Sequence, residues 1–91
     1  MTDVRTFVVQ LPGVRNEASA QRVRQALAPF KVIDSDKLIF NFTAGTLSVT
    51  YDSMQLARKN IELAIAQAGF DANELPADPA ARAALPPECR P

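Results

Sequence analysis

Histidine is absent from this chain, and cysteine occurs once, as Cys89. The first absence removes the side chain that titrates between about pH 5 and 8 and the commonest nitrogen ligand for a metal. No Ser-His-Asp or Cys-His constellation can be assembled, so an enzyme is not expected. The second absence excludes an internal disulfide. Net charge is missing too: ten Lys and Arg balance ten Asp and Glu. Without a net field to gather nucleic acid or an anionic membrane, partners must be found by local patches. No apolar run approaches the ~18 residues of a spanning helix, which argues against membrane insertion. The start Met1-Thr2-Asp3-Val4-Arg5 leads straight into a strand pattern with no apolar leader segment, and a cytoplasmic home is expected.

What is present suffices for one folded domain. The chain has 91 residues, 47% hydrophobic and 22% charged, unlike a disordered composition. Phe7, Val9 and Leu11 alternate with Val8 and Gln10, predicting a strand over residues 5–11. Pro12-Gly13 turns the chain, Asn16 is a good N-cap, and Glu17 suits the first turn of a helix over residues 17–28. Its buried stripe is read as Val23, Ala26 and Leu27 with Phe30 beyond, its wet side as Gln21, Arg22, Arg24 and Gln25, and its end as Pro29.

A second strand is expected over residues 31–43, interrupted at Asp34-Ser35-Asp36. Thr43-Ala44-Gly45 then supplies a hairpin turn into a third strand carrying Leu47, Val49 and Tyr51. Asp52 or Ser53 is read as the cap of a second helix, with Gln55 completing a capping box. Ala57, Ile61, Ala64, Ile65 and Ala68 share one face of that helix, Gly69 follows it as a left-handed residue, and residues 70–75 are expected to form a fourth strand. The two helices repeat weakly, Val23, Ala26 and Leu27 corresponding to Ile61, Ala64 and Ile65. The order βαββαβ predicts an α+β, ferredoxin-like sandwich: a four-stranded antiparallel sheet with two helices on one face.

Beyond this domain of residues 1–75 the composition shifts. Residues 76–91 hold five of the seven prolines. Asp78 followed by Pro79 predicts one short helical turn reaching Leu85, stopped by Pro86-Pro87. This tail either packs across the domain or stays mobile.

Three stretches resemble one family. They are the loop at Gly13, the Tyr51-Asp52 pair closing the third strand, and the helix ending Ile61-Glu62-Leu63-Ala64-Ile65-Ala66-Gln67-Ala68-Gly69-Phe70-Asp71. Over residues 5–75 the chain is similar to the heavy-metal-associated domain family, whose copper-chaperone and mercury-carrier members hold soft metals on a Gly-Met-x-Cys-x-x-Cys loop. Aligned on Gly13, the two cysteines of that loop fall on Asn16 and Ser19. The resemblance implies Cu(I) or another soft metal as cofactor, yet thiolates are soft, whereas an amide and a hydroxyl are hard and weak. Val14 replaces the family methionine that packs beneath the loop. The tail is similar to an Ala-Leu-Pro-rich, cysteine-bearing segment of some bacterial relatives, which makes Cys89 the remaining candidate metal ligand. Because this loop faces the docking surface in metal-transferring relatives, Val14, Arg15 and Glu17 are candidates for partner contact.

Each candidate also has a structural reading. Asn16 and Ser19 serve a helix start by satisfying amide donors that have no helical partner. Arg15 and Glu17 are solvated charges. Cys89 is an exposed thiol, or shares a soft metal or a disulfide with a second copy, helped by Arg90. Phe40, Phe42 and Tyr51 imitate a base-stacking platform, but at least two are expected to face the helices, and no basic patch accompanies them. Asp34 and Asp36 suit a turn better than a Ca²⁺ site, which needs six or more oxygens. Two functions stand: a soft-metal protein that has lost its loop ligands, and an interaction or dimerisation module on the same fold. No small-molecule substrate is suggested.

Overall fold

The computed structural model describes residues 3–89, so Arg90, expected beside Cys89, lies outside them. Strand β1 (Val4–Gln10) leads to helix α1 (Glu17–Leu27); then come β2 (Ile39–Asn41), β3 (Thr46–Asp52), helix α2 (Arg58–Gln67) and a short helix α3 (Pro79–Ala84). The sheet is antiparallel and ordered β1-β3-β2. Phe7 pairs with Val49 and Val9 with Leu47 on the face that the helices cover, and all four are buried. Val23 and Leu27 of α1 and Ile61 and Ile65 of α2 close the core above them. That face burial is the main stabilising term of so small a domain. No helix among the described residues is long and apolar enough to cross a membrane.

Several expectations are corrected. Among the described residues a fourth strand is not formed, and the sheet has three strands. Residues 70–75 fold instead into a tight turn held by the bridge between Ala72 and Leu75, with Asn73 in the left-handed region at φ 54°. The cause is local polar chemistry. Asp71 Oδ1 accepts from Ala77 N–H at 2.8 Å, and Asn73 Oδ1 accepts from Gln10 N–H at 2.7 Å, so side chains take backbone bonds that a strand would have made. The second strand shrinks to three residues. Asp34 Oδ1 accepts from Asp36 N–H at 3.1 Å and caps a 3₁₀ turn, Ser35–Lys37. The acidic pair Asp34 and Asp36 is thus a turn, and only the Ile33–Tyr51 bridge preserves pairing before it.

Helix α2 begins later than its capping signal suggested. Asp52 does hold Gln55, whose Nε2 donates to Oδ2 at 2.8 Å, and it also accepts from Asp3 N–H and Met54 N–H. Those bonds knot the end of β3 to the start of β1 and hold Asp52 below the usual carboxylate range, Asp3 N–H first among the causes, then Gln55 and Met54. The helix itself starts after Ala57, which is exposed, and Asn60 Oδ1 accepts from Ala57 N–H at 3.3 Å. In α1, Ala20 and Ser19 join the buried face, and Arg24, expected in water, lies half-buried with its guanidinium 4.8 Å from the Phe40 ring centre. Of the three aromatics, Tyr51 is buried, Phe40 packs against the core, and Phe42 is exposed.

Candidate functional site

The loop and the tail meet. Val14 N–H donates to Leu11 O at 3.1 Å as the chain leaves β1, and Val14 turns inward, buried in the core. Expected also as a partner contact, it presents nothing to a partner. Arg15, Asn16 and Glu17 are exposed. Glu17 Oε1 accepts from Gln21 Nε2 at 3.3 Å and lies 3.9 Å from Arg24 Nε, an along-helix arrangement of small energetic weight at this exposure.

Asn16 uses both ends of its carboxamide. Its Oδ1 accepts from Ser19 N–H at 2.9 Å, the bond of an N-cap, and its Nδ2 donates to the carbonyl of Glu88 at 2.7 Å. The first bond starts the helix; the second clasps a segment 72 positions away in the chain. Ser19 is 1% exposed, so its hydroxyl faces the interior and not a docking partner. These are the two positions where the family loop carries thiols, and both are committed to structure.

The tail is part of the domain. Asp78 N–H donates to Ala66 O at 2.8 Å, Asp78 Oδ2 caps α3 through Ala81 N–H, and Pro79 occupies its first turn as its fixed φ favours. Close approach of α3 to α2 depends on Gly69. At φ +105° it is in a region that glycine alone adopts readily, and a Cβ there would lie 3.0 Å from the Ala81 carbonyl carbon and from Arg82 N. Leu85 then enters the core, and a 3₁₀ turn, Pro87–Cys89, packs against α1. Cys89, read as an exposed tail thiol, is 2% exposed and belongs to the core cluster.

The donor set does not fit a soft-metal loop. One thiol stands where two are needed, and the amide beside it is occupied by the cap and the clasp. Among the described residues, no three His, Cys, Asp or Glu side chains gather as a metal site.

A different feature escaped the sequence reading. Asn73 N–H donates to Gln10 O at 2.9 Å while its side chain accepts from Gln10 N–H, so one left-handed asparagine satisfies both backbone groups of the last β1 residue. Its Nδ2 also donates to Glu62, a buried carboxylate of α2. The only signal was the spacing of turn-forming Asp71 and Asn73 ahead of Pro76.

These elements define a small α+β domain, a three-stranded sheet covered by helices, whose first loop is closed by its own tail. No family model and no curated protein matches the chain. Among solved structures, the NMR solution structure of a ZiaAN sub mutant is similar, with a TM-score of 0.64 and 29% identity over 79% of this chain and 99% of that one. The chain has a heavy-metal-associated-like fold.

Proposed function

We propose that this heavy-metal-associated-like domain acts through protein contact and does not carry metal on its first loop. One observation carries the reading: both ends of the Asn16 carboxamide are engaged, Oδ1 by Ser19 N–H and Nδ2 by the Glu88 carbonyl, which makes the loop a structural clasp. Exposed Arg15 and Glu17 remain on that loop as contact residues. A role in soft-metal homeostasis fits the same fold without requiring this chain to hold the ion.

A second reading, soft-metal binding at Cys89, draws on the thiol's position against α1. It needs the Pro87–Cys89 turn to leave the core so that a second copy can complete the coordination. Competition for Cu(I) against a chromophoric chelator under reducing conditions separates the two. Wild type and Cys89→Ala are expected to leave the chelator's copper untouched. Competition by wild type that Cys89→Ala abolishes would replace the contact reading with the metal one.

A further inference from the structure

Strand β1 ends the sheet order β1-β3-β2, so one of its sides meets no other strand. Leu11 N–H donates to Gly45 O on the β3 side, whereas both backbone groups of Gln10 turn the other way, to Asn73. Backbone groups alternate in direction along an antiparallel strand, so Val4, Thr6 and Val8 aim their N–H and C=O groups outward with Gln10. Among the described residues, nothing beyond Asn73 continues along that edge, because the chain doubles back between Ala72 and Leu75. Two of the usual protections, a bulge and a proline, are missing. The β1 register against β3 runs from Val4–Asp52 to Gln10–Thr46 without a bulge, the strand contains no proline, and its open-face valines Val4 and Val8 are 64% and 52% exposed.

We propose that this edge pairs with the same edge of a second copy of the chain, antiparallel about a two-fold axis at Thr6. The pattern is self-complementary. With Thr6 opposite Thr6, Val4 of each copy faces Val8 of the other, and each of these pairs exchanges both of its backbone bonds. The exposed valines cover one another across the axis. Sliding the pairing to set Thr6 opposite Val8 would bring Val4 opposite Gln10, whose backbone groups Asn73 already holds. Asn73 therefore blocks that slide as well as ending the ladder. Zero net charge on each copy removes long-range repulsion. The product is one continuous sheet, β2-β3-β1-β1-β3-β2, with an isologous interface.

This pairing gives the contact function proposed above a self-association surface apart from the loop of Arg15 and Glu17, and rests on that function. Sedimentation of the full chain over a wide concentration range is expected to reach twice the 9.9 kDa chain mass, with the Thr6 and Val8 amides becoming protected from hydrogen exchange as the dimer forms. The double variant Val4→Lys/Val8→Lys puts like charges opposite each other twice and should weaken association about tenfold or more. Val4→Glu/Val8→Lys puts opposite charges in the same places and should restore association to within a few-fold of wild type. Thermal melts in dilute solution check that both variants keep the fold, as exposed positions allow. A wild type that stays at single-chain mass overturns the proposal, as does an association in which those amides stay unprotected or the charge-paired variant remains as weak as the doubly basic one. An extended peptide from another protein on this edge would appear as a single-chain wild type. Since the Cu(I) competition reads nothing from the edge, failure of the pairing and failure of the contact reading are told apart.

Discussion

The two ends of strand β1's surroundings are finished in opposite ways. After Leu11, the chain enters a loop in which donors and acceptors are taken up: Asn16 caps α1 and clasps Glu88, Val14 and Ser19 are buried, and Leu85 and Cys89 bring the tail into the core. Along its outer edge, β1 has the single partner Asn73 among the described residues, leaving Thr6 and Val8 with outward backbone groups. The polar groups of the loop are used within the domain, whereas the edge of β1 keeps backbone groups aimed outward. A family resemblance points to the loop, whereas solvent-facing backbone groups point to the edge.

The largest loss of stability is expected from opening the closed end. Leu85→Ala removes a buried side chain from the tail and should cost roughly 2–5 kcal/mol, read as a lower urea midpoint with an unchanged slope. A cost below about 1 kcal/mol would mean that the tail is a loosely laid appendage, contrary to its burial. Asn16→Ala tests the clasp more finely. It loses the cap and the bond to Glu88 and should cost about 1–2 kcal/mol, with amides at the start of α1 exchanging faster. Asn16→Asp sharpens the result, since it keeps the capping oxygen but loses the Nδ2 donor, and should recover only part of the loss.

The smallest effect belongs to the knot at the beginning of β1. Asp52 is held below its ordinary value by hydrogen bonds from Asp3 N–H, Gln55 and Met54. A depressed folded-state value contributes stability that is present above the unfolded value, about 3.9, and is lost as pH falls through the folded one. Wild type should therefore exceed Asp52→Asn in stability at pH 7, and the gap should narrow on acidification from about pH 4 downward. Urea melts at both ends of that range measure it. A gap that stays constant would assign the role of Asp52 to packing.

Much of the fold was legible because its signals are periodic. Alternation placed Phe7, Val9, Leu47 and Val49 on one face, and helical spacing placed Val23, Leu27, Ile61 and Ile65 against them. Asp78 and Pro79 announced α3, and Gly69 announced the end of α2. The misreadings came where a side chain could bond backbone in more than one way. Asp52 and Gln55 have the spacing of a capping box, but their side chains bond each other and the helix begins further on. Asn73 supports a strand by replacing it.

For the candidate site, the residues alone excluded a thiol loop, since Asn16 and Ser19 stand where cysteines would. They also carried the cap at Asn16, because capping is decided by groups three positions apart. Only the tertiary structure decided that Cys89 is interior and that Asn16 reaches Glu88, since both depend on how a proline-stiffened segment docks on two helices. It also decided that β1 is an edge. The bare strand pattern of residues 4–10 is the same whether a neighbour comes or not, and the neighbour's place was settled by the left-handed turn at Asn73, far along the chain.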